Sequence, residues 1–93
     1  MIKSFKCKET EKIYKGIFLK KIPHDIQQRA LIKLHSIDIA DDLNDLTSPP
    51  ANFLEQLQGD RKGQYSIRIN QQYRICFKWN NNEVTDVEIV DYH

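Results

Sequence analysis

The chain has 93 residues with 14 basic and 13 acidic side chains, a net charge of +1, and 40% hydrophobic residues. That length allows one domain burying roughly 60–65% of its unfolded surface, and the near-zero charge excludes a general polyelectrolyte pull toward nucleic acid, so any such binding must come from where the charges sit. No run approaches the ~20 apolar residues of a membrane span, and the N-terminus lacks the apolar core of a secretory signal, so a cytoplasmic protein with no membrane association is expected.

The first residues, Met1 to Phe5, alternate and predict a short strand, placed at a sheet edge by its lysines. Ile13, Tyr14, Ile17 and Phe18 recur at helical spacing and predict a helix from Cys7 to Tyr14, broken at Gly16. Lys20 and Lys21 follow. Pro23 and Asp25 then mark a second helix start, and Ile26, Ala30, Leu31, Leu34 and Ile37 form the apolar stripe of the main helix. His24 and His35 read as surface histidines of this region. Ala40 to Leu46 has room for one helical turn, Ser48-Pro49-Pro50 stops it, and Asn52 to Leu57 returns as a strand whose Leu54 and Leu57 cannot share a face without a bulge.

From Gly59 onward the pattern changes to period two. Tyr65, Ile67 and Ile69, then Tyr73, Ile75 and Phe77, then Thr85, Val87 and Ile89 predict a three-strand antiparallel meander with one buried face. Three-residue connections at Asn70-Gln71-Gln72 and Asn80-Asn81-Asn82 would place Ile69 across from Tyr73 and Ile67 across from Ile75. They would also place Ile75 across from Val87 and Tyr73 across from Ile89. The expected architecture is α+β: a short N-terminal strand and two to three helices packed on one face of a four- to five-stranded, mainly antiparallel sheet, in a single domain spanning 1–93.

On the other, open face this register sets Arg68 opposite Arg74 and Arg74 opposite Glu88. Like charges paired across strands cost a few tenths to roughly 1 kcal/mol, whereas two guanidinium forks converging on one point match the oxygens of a phosphate. Removing Arg74 should therefore relieve repulsion without loss of stability. Lys20, Lys21, Arg61 and Lys62 read as solvated loop charge, the positions from which any contact to a nucleic-acid backbone would have to come. Tyr73 and Trp79 read as packing residues. Cys7 and Cys76 fit neither a metal spacing nor a disulfide framework and read as reduced thiols; no metal or other cofactor is expected.

Several segments taken in order resemble the HigB toxins of the RelE/ParE superfamily, the killer proteins of plasmid maintenance operons. They are Met1-Ile2-Lys3-Ser4-Phe5, Ser48-Pro49-Pro50, Leu57-Gln58-Gly59-Asp60-Arg61-Lys62-Gly63, Tyr65-Ser66-Ile67-Arg68-Ile69-Asn70, Tyr73-Arg74-Ile75-Cys76-Phe77 and the terminal Val90-Asp91-Tyr92-His93. The resemblance covers nearly the full length. It implies a small, metal-independent endoribonuclease that enters the decoding site of the small ribosomal subunit, cuts mRNA and arrests translation. It also implies capture by a HigA-type helix-turn-helix antitoxin, with operator DNA bound only through the antitoxin complex.

Within that picture Arg68 and Arg74 suit charge neutralisation at the phosphate. His93, with a reference pKa of about 6.5, suits proton transfer. Tyr92 could stack on a base or donate to phosphate, and Asp91 could orient His93 or accept a proton. Some relatives carry histidine in a Leu-His-x-Leu pattern where this chain has Leu54-Glu55-Gln56-Leu57. Glu55 can serve as a base there only if a cation offsets its repulsion of phosphate. The rival expectations are a non-catalytic inhibitor of DNA gyrase, as in the ParE branch, and an inactive operon co-repressor.

Overall fold

The computed structural model describes residues 1–91. Helix α1 (Lys8–Tyr14) ends where Gly16 takes φ +85°, a left-handed turn that glycine adopts without steric cost. Helix α2 (His24–Ile39) buries Ile26, Ala30, Leu34 and Ile37 of the anticipated stripe and leaves Leu31 partly exposed at its margin. It also buries Gln27, whose amide accepts from the Leu19 N–H at 2.6 Å and donates to the Leu19 carbonyl at 2.6 Å. One polar side chain thus satisfies the backbone of the loop between the helices, as burial of an amide requires. Leu43–Thr47 forms a 3-10 turn capped by Asp42.

Four strands follow: β1 (Glu55–Gln56), β2 (Gln64–Arg68), β3 (Tyr73–Asn80) and β4 (Glu83–Asp91), in the antiparallel order β1-β2-β3-β4. The expected second strand shrinks to two residues, because Pro50–Asn52 forms a 3-10 turn and Phe53 takes φ 45°. Leu54 packs on the core and Leu57 is buried. The N-terminal segment lies along the free edge of β4 through isolated parallel bridges, Ile2 with Val84 and Phe5 with Val87, rather than as a continuous strand. Its backbone bonds cap that edge: Lys3 N–H to the Val84 carbonyl at 2.7 Å and Lys6 N–H to the Val87 carbonyl at 2.9 Å. Beyond it, the buried Thr10 hydroxyl accepts from the Ile89 N–H at 3.0 Å.

The β2–β3 register is as anticipated, with Tyr65 facing Phe77, Ile67 facing Ile75 and Arg68 facing Arg74. The β3–β4 register is not. The connection holds two residues, Asn81 and Asn82, both with positive φ (53° and 67°), the mark of a tight hairpin turn that pairs Asn80 with Glu83. Left alone, that register would bring Asp86 to the core. A bulge at Asp86 (φ 53°) inserts one residue and restores the apolar side, so that Val84 and Val87 are both fully buried. In consequence Ile75 faces Ile89, Tyr73 faces Asp91, and Arg74 faces Val90 instead of Glu88.

The core lies between the helices and one sheet face, built from Ile13, Leu34, Ile37, Leu46, Ile67, Ile75, Phe77, Val84 and Val87. The opposite face is not open at its centre as expected: Ser66 and Cys76 are fully buried and Arg74 is 4% exposed. Among the described residues no helix is long and apolar enough to cross a membrane.

Candidate active site

Strand register brings two guanidinium groups to the same end of the sheet, where they meet surroundings of different kinds. Arg74 is pinned: its Nε donates to Ser66 Oγ at 2.8 Å, its Nη2 donates to the Phe53 carbonyl at 2.8 Å, and Glu55 Oε1 stands 3.8 Å from Nη2. Arg68 is partly exposed, and its guanidinium carbon lies 4.2 Å over the centre of the Phe53 ring. Both cations therefore engage one residue, Phe53. It is a bulky residue, 51% exposed, in the left-handed region, a backbone conformation that clusters at functional positions.

Glu55 is exposed and set against the Arg74 cation, the placement that makes a carboxylate compatible with a phosphate nearby. Asp91 ends β4 opposite Tyr73, on the face of the ladder away from Arg74, and its Oδ2 accepts from Gln72 Nε2 at 3.0 Å. Tyr92 and His93 lie outside the described residues. Glu88, expected beside Arg74, faces Cys76 and pairs with Arg61 at 2.7 Å and Lys6 at 3.7 Å.

Arg61 is thereby tied into the sheet, with a further bond to Gln64 Oε1 at 3.2 Å, rather than standing as a loop cation. Cys76 sits among these charges. Burial pushes its thiol up, and this outweighs the opposing pull of the Arg61, Arg74 and Lys6 cations, so the group is a neutral thiol and a poor nucleophile. Lys20 and Lys62 are exposed, and Lys21 is paired with Glu9, so these three stand as surface charge.

Two features of this region were missed from sequence. Phe53 gave no signal, because an aromatic after Pro-Pro-Ala-Asn looks like ordinary packing. Arg29 and Lys33 lie on the polar side of α2, where charge is the rule, yet with Arg68, Ile32, Ala51 and Ile69 they line a cavity of about 260 Å³.

A family model described as the RelE-like toxin HigB of type II toxin–antitoxin systems matches residues 3–93. The chain belongs to the HigB-like toxins. Among relatives, an endoribonuclease HigB from Proteus vulgaris is 31% identical over 93 residues and is covered, as is this chain, in full. Toxin HigB-1 from Vibrio cholerae is 45% identical over 58 residues, 62% of this chain. A Haemophilus influenzae protein without assigned function is 45% identical over 67 residues, 72% of this chain. The matches span 66% of the Haemophilus protein's length and 61% of the Vibrio toxin's.

The HigB-like fold also aligns over 100% of this chain and 98% of a chain from the heterotetrameric YoeB–YefM toxin–antitoxin complex of Staphylococcus aureus, with TM-score 0.62 and 20% identity. At that identity the likeness speaks for the α+β fold alone. The sequence resemblance to HigB and the anticipated fold class are thus both borne out.

Proposed function

We propose that this toxin is a metal-independent mRNA endoribonuclease acting on the translating ribosome and neutralised by a HigA-type antitoxin. The observation that carries the reading is the Arg68–Arg74 pair, held across adjacent strands at 4% exposure for one member, with the carboxylate of Glu55 beside it. The full-length relative named an endoribonuclease supports the activity, and membership of a toxin family of type II toxin–antitoxin systems supports the antitoxin partner.

In the proposed reaction Glu55 takes the proton of a 2′-hydroxyl, whose oxygen attacks the adjacent phosphorus. Arg68 and Arg74 neutralise the charge that builds on the phosphorane, the step to which fixed cations contribute most. His93 protonates the leaving 5′-oxygen as the P–O5′ bond breaks, giving a 2′,3′-cyclic phosphate and a 5′-hydroxyl. Asp91 orients His93, and Tyr92 holds the neighbouring base or phosphate. Lys20, Lys21 and Lys62 contact ribosomal RNA and contribute salt-dependent affinity.

A reconstituted translation reaction with end-labelled message tests this. Fragments ending in cyclic phosphate should appear only when ribosomes are present, and Arg68→Ala should slow their appearance more than tenfold. Intact message, with growth arrest traced to lost DNA supercoiling, would replace this reading with gyrase inhibition.

A further inference from the structure

The cavity between α2 and the end of β2 gathers three cations from two elements: Arg29 and Lys33, one helical turn apart on α2, and Arg68 from the sheet. No carboxylate lines it, and among the described residues none of the three forms an ion pair. In a chain of net charge +1 that is a marked local concentration.

Lys33 is also built in. Its ammonium donates to Oδ1 of Asn52, a residue 1% exposed whose own amide nitrogen is fixed by the Leu46 carbonyl at 3.1 Å and the Ser48 carbonyl at 3.3 Å. Burial, and then the nearby Arg29 cation, lower the Lys33 pKa, as expected where like charges gather with partial loss of water. Such a cluster is relieved by an anion. Ile32, Ala51 and Ile69 supply the apolar wall that a ribose or base can lie against. Arg68 joins the groove to the exposed ring of Phe53, so a strand passing the arginine pair continues into it.

We propose that this groove binds a backbone phosphate of the RNA strand, next to the one that is cut. The proposal rests on the ribonuclease reading, and its test separates the two. A fluorescein-labelled single-stranded RNA is titrated with wild type, with Arg29→Gln/Lys33→Gln, and with Lys8→Gln/Lys12→Gln, which removes the same net charge from exposed positions on α1. The groove variant should bind roughly tenfold more weakly and lose about 0.7 in the slope of log affinity against log salt for each phosphate contact removed, whereas the α1 variant should match wild type.

In the ribosomal cleavage reaction the groove variant should raise KM with kcat within about twofold. Should wild type fail to cleave, the ribonuclease reading falls while the binding titration still decides the groove. Equal RNA affinity in the wild type and the groove variant overturns the proposal. So does a groove variant that keeps its RNA affinity but no longer captures a co-expressed antitoxin, which would make this a protein-docking surface. Matching thermal midpoints for the variants confirm that each is folded.

Discussion

Arg68 and Arg74 face each other across the ladder but answer to different physics. Arg74 is buried and satisfied by Ser66 and the Phe53 carbonyl, so truncation to alanine strands a hydroxyl and a carbonyl and opens a cavity. A loss of about 2–4 kcal/mol follows from removing one partner of buried, charge-assisted bonds. Arg68 gives up a partly exposed contact with an aromatic ring, worth about 0.5–1 kcal/mol. Urea unfolding should therefore separate the two: Arg74→Ala lowers the midpoint strongly and Arg68→Ala barely moves it. Equal, small shifts would mean that relief of the Arg68 repulsion offsets the bonds lost with Arg74, as the sequence pattern taken alone implied. The cation pairing was legible because alternation in β2 and β3 is strict. The burial was not, because the lid is the carbonyl of Phe53, and no side-chain pattern announces where a backbone carbonyl will point.

At the scale of elements, β4 shows how one residue governs a face. The Asn81-Asn82 turn fixes a pairing of the wrong parity, and Asp86 corrects it by taking a left-handed conformation, with its N–H donating to Ser4 Oγ at 3.0 Å. Asp86→Val should cost about 1–3 kcal/mol, since a β-branched residue resists positive φ. Asp86→Gly should stay within about 1 kcal/mol of wild type, because the Lys78–Asp86 ion pair it removes is about half exposed on both sides and worth little. Chemical denaturation of the three proteins decides this, and equal losses in both variants would place the cost in the ion pair instead.

The helices, the meander and the β2–β3 register could be read from apolar spacing, because a 3.6-residue or two-residue period survives any choice of loop. The β3–β4 register could not. Asn80-Asn81-Asn82 accommodates either loop length, and the only trace of the bulge is that Val84 and Val87 stand three apart where a strand requires two. Arg29 and Lys33 were invisible for a related reason: helical spacing shows that they share a face, but not that Ala51 and Arg68 close a groove over it.

Across the whole molecule, stability depends on joining the first residues to the last strand. Ile2 and Phe5 pack against the core, Phe5 reaches Tyr14 with ring centres 5.4 Å apart, and Tyr14 reaches His35 at 5.1 Å. Asp38 of α2 secures this arrangement by accepting the Ile2 N–H at 2.8 Å. That bond is the main reason its carboxyl titrates below the ordinary value, with the Tyr14 hydroxyl, the N-terminal ammonium and His35 adding to it against the effect of burial. A carboxylate with a depressed folded pKa contributes stability that is fully present above its unfolded value of about 3.9 and is lost as pH falls through the folded pKa. Wild-type stability should accordingly be flat in this contribution near neutral pH and decline below about pH 4. Asp38→Asn can still accept from Ile2 through its amide oxygen, but it carries no charge. It should be less stable by about 1 kcal/mol at pH 7 and should approach wild type as the pH is lowered. Thermal midpoints of both proteins between pH 7 and pH 3 provide the measurement. Parallel curves, with the same gap at every pH, would show that the N-terminal segment is held by packing of Ile2 and Phe5 and that the Asp38 charge adds nothing.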